Sequence, residues 1–173
     1  NLYSIVNNIN NEYIINYLGN QKFIVSTTSE KIIFQVDSLE SLDKSSSDTI
    51  LIQKFIYDLG VQIFYLKDKH LGIKYFSLSD IVIINNNNFL FINPNKLFTL
   101  LDNKDVKLSD VKPFEYGIIK SDTIDTTSLF LSPELKNHSS DDIYYTCAFY
   151  SFAQILLYVF DLELAKLYYT SIY

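Results

Sequence analysis

The polar residues that could serve chemistry lie mainly in two short stretches, "YFSLSD" and "FINPN". Ser77 could be a nucleophile if a base lay beside it, and Asp80 could act as a general base or bind a divalent cation. The sequence supplies no base for Ser77, and the neutral amide of Asn93 is a poor ligand for a hard dication. We therefore predict no catalytic residue, no metal site and no cofactor. The simplest interpretation is that the Ser77 hydroxyl caps its own loop backbone and that Asp80 is a solvent-exposed residue at the start of a strand or in a turn.

Other residue types that commonly carry chemistry are sparse. Cys147 is the only cysteine, which excludes an internal disulfide and a zinc site built on several cysteines. It lies in an apolar run, where a small buried side chain is expected rather than a nucleophile. His70 and His138 are far apart and lack the spacing of metal ligands. A single unpaired cysteine is typical of a protein from a reducing compartment such as the cytoplasm.

The composition is that of a globular, acidic chain. Its 173 residues are 48% hydrophobic and 16% aromatic, with only 4 glycines and 3 prolines, so the chain can bury a core. The net charge is −6 and every cationic side chain is a lysine. Because phosphate binding needs a basic face, we predict no nucleic-acid partner. The most apolar stretch, 147–160, is too short to span a bilayer, so we predict no membrane association. The absence of methionine suggests a piece of a longer chain.

Hydrophobic periodicity predicts three helices. Apolar residues recur at helical spacing in 2–18, which includes Ile9, in 52–69 and in 144–162. The second stretch carries a clear apolar stripe, and the third is apolar nearly all round, as a central buried helix would be. We predict that these last two helices pack against each other and form the core.

Short β-rich runs predict two hairpins. The runs 22–26 and 31–36 form the first, and 81–84 and 89–92 form the second. The second hairpin turns on four consecutive asparagines, a residue type that tolerates the left-handed backbone conformation of tight turns. The polar segment 102–128 is interpreted as a long surface connection.

The order of these elements resembles the protein-kinase fold from the middle of helix C to just past helix F. "KIIFQVDS" is similar to strand 5 running into the hinge, and "IQKFIYDLGVQIFYLKDKHLGI" is similar to helix E and its exit. "LSPEL" resembles the Ala-Pro-Glu end of the activation segment, and "AFYSFAQILLY" resembles the start of helix F. The resemblance covers nearly the whole chain in order. It implies a degenerate member of the protein-kinase-like superfamily, of a kind familiar from large DNA viruses and protists with AT-rich genomes.

The resemblance also identifies which residues stand at kinase active-site positions. A kinase uses an aspartate to accept the substrate proton, and an asparagine and an aspartate to hold magnesium. Ser77 replaces the first of these, Asp80 falls near the second, and Asn93 replaces the third. Ala148 falls on the helix F aspartate that anchors the catalytic loop, so that anchor is expected to be lost. The degenerate active-site positions are Tyr75, Phe76, Ser77, Asp80, Asn93, Pro94 and Asn95, and the structural Ala-Pro-Glu motif corresponds to Ser132, Pro133 and Glu134.

The fold that the resemblance implies is α+β and mainly helical. A kinase-like C-terminal lobe would occupy 38–173, and a truncated N-terminal lobe, with the end of helix C and strands 4 and 5, would occupy 1–37. The Gly-rich loop, the strand-3 lysine and the helix C glutamate would then lie upstream of Asn1.

The function that the resemblance implies is that of a pseudokinase, a catalytically inactive module that binds or scaffolds proteins. The alternative is an unorthodox ATP-dependent protein kinase that uses Asp80 and an acidic residue near 102–110; a structural or virion-type protein is a third hypothesis. We expect a protein partner or the upstream part of the same chain, in the cytoplasm or in a virion if the chain is viral. The binding face would be an exposed apolar cleft floor lined by the 81–84 and 89–92 hairpin and the hinge near Val36, with Phe89 or Phe91 presenting a ring towards it.

Overall fold

The described part of the chain folds as a small α+β protein in which four helices are accompanied by several small antiparallel sheets. The prediction of a mainly helical lobe is therefore wrong. Segments that we expected to be connections pair instead as short strands, because pairing satisfies their backbone hydrogen-bonding groups. The computed structural model describes residues 1–7, 11–42, 49–102, 115–119, 124–137 and 142–160.

Four α-helices and ten strands lie within the described residues. The helices are α1 (Glu12–Asn20), α2 (Thr49–Asp68), α3 (Pro133–Lys136) and α4 (Cys147–Phe160). The strands are β1 (Leu2–Val6), β2 (Ile24–Thr27), β3 (Lys31–Gln35), β4 (Leu39–Ser41), β5 (Leu71–Ile73), β6 (Ile81–Ile84), β7 (Asn88–Phe91), β8 (Leu97–Thr99), β9 (Tyr116–Ile118) and β10 (Asp142–Tyr144). Two 3-10 turns, Leu78–Asp80 and Pro94–Lys96, flank the hairpin of β6 and β7.

The first sheet has the strand order β1–β3–β2, and both pairings are antiparallel. The predicted hairpin of β2 and β3 is confirmed. The predicted helix at 2–18 is wrong over β1, where Tyr3 and Ile5 alternate with exposed residues and pack against the core. The helix begins only at Glu12, and Ile9 lies outside the described residues. Residues 2–6 form a strand because each of them pairs with a residue of β3.

The predicted hairpin on the asparagines is confirmed by the pairing of β6 with β7. Asn85 and Asn86 have φ angles of 50° and 64°, the left-handed conformation that asparagine tolerates. The Asn85 side chain also accepts hydrogen bonds from the backbone nitrogens of Asp37 and Ser38, at 2.8 and 3.2 Å. The turn is thereby fastened to the connection between β3 and β4.

The predicted packing of the two long helices is confirmed. Phe55 on α2 stacks on Phe152 on α4, with 5.5 Å between ring centroids. The prediction that α4 is buried all round is wrong: Ile155 and Val159 are buried, whereas Tyr158 is about half exposed. An apolar side chain is not obliged to be buried, since much of any protein surface is apolar. Within the described residues, no helix is both long and apolar enough to cross a bilayer.

Two glycines allow β5, β8 and β9 to approach one another closely. A Cβ atom on Gly72 would overlap the ring of Phe98, and one on Gly117 would overlap the backbone oxygen of Thr99. β5 leads into the loop that contains Ser77, and β8 follows the second 3-10 turn. The antiparallel pairing of β5 with β8 therefore holds the entry and the exit of the predicted site together.

The segment 102–128 is not only a surface connection. It contains β9, which pairs with β10, and Tyr116, Ile119 and Ile124 are buried. These apolar residues are scattered among polar ones, so their burial was not visible as a periodic pattern. The rest of the segment lies largely outside the described residues.

Strand β7 lies inside the core rather than on an exposed cleft floor. Phe89 meets Phe55 edge-on at 5.1 Å, and Phe91 stacks with Tyr13 at 5.9 Å between ring centroids. Phe89, Phe91 and Val36 are all buried. The prediction that this face is open to a partner is therefore wrong, because α1 and α2 close over it.

Helix α2 also supplies hydrogen bonds that the outer edge of β7 would otherwise lack, since β7 is the last strand of the sheet β4–β6–β7. The Gln62 amide donates to the Phe89 carbonyl oxygen at 2.8 Å and accepts from the Phe91 nitrogen at 3.0 Å. The Asp58 carboxylate accepts from the Phe89 nitrogen at 2.9 Å, and Lys54 neutralises it at 2.6 Å. Gln62 and Asp58 of α2 thus make the backbone hydrogen bonds that a further strand would make with the edge of β7.

Replacing Gln62 with leucine should destabilise the protein by about 2 kcal/mol, because a buried N–H and C=O of β7 lose their partners. The measurement is the free energy of unfolding from urea titration. Gln53→Leu, at an exposed position of the same helix, is the control and should change it by less than about 0.5 kcal/mol. Equal effects of the two substitutions would show that the Gln62 hydrogen bonds do not stabilise the edge.

Candidate functional site

Asp80 is a buried carboxylate that accepts hydrogen bonds from its own loop and from the turn after β7. It ends the first 3-10 turn and is 3% exposed. Ser77 donates both its backbone nitrogen and its hydroxyl to Asp80 Oδ2, at 2.8 and 3.0 Å. The prediction that Asp80 is solvent-exposed is therefore wrong. The predicted capping role of Ser77 is confirmed, because Ser77 and Asp80 form a capping box in which the Ser77 side chain meets the Asp80 backbone nitrogen, while its hydroxyl also donates to the Asp80 carboxylate. Asp80 points inward because side chains from the segment after β7 bind its carboxylate.

Those groups come from the residues that follow β7. Asn93 donates its amide to Asp80 Oδ1 at 2.7 Å, and Lys96 Nζ lies 2.6 Å from Oδ2. The Lys96 ammonium also lies 4.1 Å from the centroid of the Tyr75 ring, a cation–π distance. A backbone hydrogen bond from Ile92 to the Asp80 oxygen, at 2.8 Å, holds the two segments together. We call Ser77, Asp80, Asn93 and Lys96 the Asp80 cluster.

The electrostatics of the Asp80 cluster favour the ionised carboxylate. Burial alone would raise the pKa of Asp80, but hydrogen bonds from Lys96, Asn93 and the Ser77 backbone, with the positive charge of Lys96, outweigh it. The pKa of Asp80 is therefore held below its usual value. At neutral pH the cluster contains one carboxylate paired with one ammonium.

The geometry of the Asp80 cluster is that of an ion pair that stabilises the loop, and it is poorly arranged for catalysis. A carboxylate with a lowered pKa is a weak proton acceptor, so Asp80 is a poor base for the Ser77 hydroxyl. A metal ion would have to displace the Lys96 ammonium from Asp80. Within the part of the chain that the structure describes, no group of three or more His, Cys, Asp or Glu residues could hold a metal ion.

The remaining predicted active-site positions are mostly structural. Tyr75 and Phe76 are buried, and the face of the Tyr75 ring contacts the Lys96 ammonium. Pro94 begins the second 3-10 turn, and Asn95 is exposed within it. The fold thus brings together three of the seven predicted positions, Ser77, Asp80 and Asn93. Lys96 was missed by sequence reasoning, although it lies directly after "NPN".

Ser151 on α4 fastens the loop that contains Phe76 and Ser77, a role that sequence reasoning also missed. The Phe76 nitrogen donates to Ser151 Oγ at 3.1 Å, and the Ser151 hydroxyl donates to the Phe130 oxygen at 2.7 Å. Ala148, which we placed at the anchoring position, is buried without a polar group to offer. The loop is therefore fastened to α4 by Ser151, three residues after Ala148. The sequence feature that could have identified this residue is the presence of one serine, Ser151, within an otherwise apolar stretch.

The motif Ser132–Glu134 begins the short helix α3. Ser132 is buried, Glu134 is exposed, and Pro133 occupies the first helical turn, where proline is well tolerated. Among the described residues, no hydrogen bond or ion pair joins this motif to the Asp80 cluster. Its role in the structure is to start a helix.

Cysteine and histidine chemistry has little support. Cys147 is buried, as predicted, and burial raises the pKa of its thiol, so it is protonated and weakly nucleophilic at neutral pH. His70 is exposed in the turn after α2. His138 lies outside the described residues.

A small cavity of about 100 Å³ lies between α1 and α2, lined by residues that include Tyr17, Asp58 and Tyr65. Burial and the neighbouring Asp58 carboxylate raise the pKa of Tyr17, which therefore stays protonated. Sites for drug-sized ligands typically enclose about 300–1,000 Å³. The cavity is large enough for a few water molecules but not for a nucleotide.

Neither a protein-family model nor a curated protein matches the chain. The features that bear on function are therefore the Asp80 cluster and the surface of the described residues.

Proposed function

We propose that the chain is a pseudokinase-type protein, a catalytically inactive relative of the protein kinases that works by binding another protein. The observation that carries the proposal is the Lys96 ammonium bound to Asp80 at 2.6 Å. Asp80 and Asn93, at the positions that the resemblance assigns to the magnesium ligands, contact each other at 2.7 Å. A kinase needs those side chains to hold magnesium against the phosphates. Here a cation of the protein's own neutralises the carboxylate.

The alternative, an unorthodox protein kinase, has less support. Asp80 would have to release Lys96 before it could hold a metal ion, and its lowered pKa makes it a weak base. Of the acidic residues near 102–110, only Asp102 lies within the described residues. The Asp80 cluster is therefore better explained as an internal ion pair that stabilises the loop.

The protein-binding part of the proposal is supported by the surface of α2. Phe89 and Phe91 are buried, whereas Tyr57 and Phe64 on the outer side of α2 are 64% and 55% exposed. Large exposed aromatic side chains are enriched in protein–protein interfaces. We place the partner surface on this face of α2, and we place the protein in the cytoplasm, or in a virion if the chain is viral, because Cys147 is unpaired.

Magnesium and ATP together should not raise the melting temperature of the protein. A ligand at a hundredfold excess over its Kd would add about 2.7 kcal/mol of stability, which a thermal-shift titration detects easily. An active protein kinase, titrated in parallel, is the positive control. An upward shift that requires both magnesium and ATP would contradict the proposed loss of catalysis and would favour the phosphotransferase.

A further inference from the structure

A larger pocket lies beside β8 and β9 and shares no lining residue with the cavity between α1 and α2. Its volume is about 340 Å³, within the range of about 300–1,000 Å³ that is typical of sites for small organic ligands. Lys74 lines it together with six residues of the two strands and the positions that follow them, Leu97, Phe98, Thr99, Leu101, Ile118 and Ile119. The pocket is therefore large enough for a small organic molecule.

The floor of this pocket is apolar and is held in place by strand packing. Leu97, Phe98 and Ile119 are buried, and the ring of Phe98 packs on the backbone of Gly72 and Gly117. The pairing of β5 with β8 fixes the position of that ring relative to the strand that leads to Lys74. A preformed apolar floor of this kind favours a ligand with an apolar body.

Lys74 is the one charged residue among the described residues that line the pocket. It is partly buried, and burial lowers the pKa of its ammonium. The Lys74 backbone nitrogen donates to the Lys96 carbonyl oxygen at 2.9 Å, but the Lys96 ammonium is bound to Asp80. In the described part of the chain, no carboxylate forms an ion pair with Lys74. Lys74 thus places a cation without a counter-charge beside an apolar floor.

We propose that this pocket binds a small organic acid, a molecule that carries one carboxylate on an apolar body, and that Lys74 pairs with the carboxylate. The anion would give the Lys74 ammonium the charged hydrogen-bond partner that it lacks, while the apolar body covers Phe98 and Ile119. A cationic ligand would meet the like charge of Lys74, and the described lining offers no carboxylate to receive it. A neutral apolar ligand would cover the ammonium without pairing it. This site is separate from the Asp80 cluster and goes beyond the proposed protein-binding function.

Octanoate and octanol are matched probes for this site, because they have the same number of carbons and only octanoate is charged. Isothermal titration calorimetry on the intact chain should show that octanoate binds about tenfold more tightly than octanol, since a hydrogen bond between charged groups adds at least that much affinity. In Lys74→Met the affinity for octanoate should fall about tenfold and become similar to that for octanol. A wild-type chain that does not bind octanoate, or that binds both probes equally, would overturn the proposal.

Two further variants separate the role of Lys74 from a general effect of charge and locate the site. Lys31→Met makes the same change in net charge at an exposed position of β3 and should leave octanoate affinity within about twofold of wild type. Ile118 is 62% exposed at the rim, and Ile118→Ser should weaken both probes, because it removes apolar contact area. Circular dichroism checks that each variant folds. Equal losses of octanoate affinity in Lys74→Met and Lys31→Met would overturn the assignment of the carboxylate to Lys74.

Discussion

Replacing Phe91 with alanine should destabilise the protein by about 4 kcal/mol, the largest effect that we expect from a single substitution. The side chain is 1% exposed, and its ring lies 5.9 Å from the Tyr13 ring and 5.8 Å from the Phe76 ring. Removing it forfeits the burial of a large apolar group and leaves a cavity between α1 and the Asp80 loop. Urea unfolding followed by circular dichroism measures the change in the free energy of unfolding.

Phe64→Ala is the matched control, because the same residue type is half exposed there. It should lower the free energy of unfolding by only about 1 kcal/mol, because half of the ring is exposed and the rest contacts Phe149 at 5.9 Å between ring centroids. The comparison shows whether the face of β7 or the outer face of α2 is accessible to a partner. If Phe91→Ala were tolerated, the floor formed by β7 would be accessible after all, and the binding face would have to be moved from α2 to that cleft.

Asp80→Asn should cost about 3 kcal/mol at neutral pH, because it leaves the largely buried Lys96 ammonium without a carboxylate. Lys96→Met should cost a similar amount, since it leaves the Asp80 charge without its cation. The double variant Asp80→Asn with Lys96→Met removes both charges and should recover much of the loss. Losses that simply add in the double variant would show that the two side chains do not interact.

The cost of Asp80→Asn should depend on pH with a defined sign. Because the pKa of Asp80 is lowered in the folded protein, its stabilisation is complete above its ordinary value of 3.8 and is lost as the pH falls through the lower folded value. The difference in unfolding free energy between wild type and variant should thus be constant from neutral pH to about pH 5 and shrink below about pH 4. Urea titrations across this range measure it, and a difference that grows on acidification would contradict the ion pair.

The sequence by itself determined the elements whose signals are local. The apolar stripe of α2 predicts a helix because every residue of the stripe lies within a few turns of the next. The asparagine turn is equally local, since the tolerance of Asn85 and Asn86 for positive φ is a property of the side chains themselves. The burial of Cys147 followed from its apolar neighbours in the chain. In the Asp80 cluster, the sequence identified Ser77, Asp80 and Asn93 as the polar positions.

Only the tertiary structure decided the features that depend on distant partners. The segment at 2–6 is a strand because it pairs with β3, and no local pattern reveals that partner. The pairing of β5 with β8 holds the two segments of the Asp80 cluster together, and Lys96 gains its role from that contact with Asp80. Ser151 became an anchor because α4 packs beneath the Phe76 backbone. The sequence showed that β7 is apolar and led us to expect an open face, but whether that face is open or closed depends on the positions of α1 and α2, which close it.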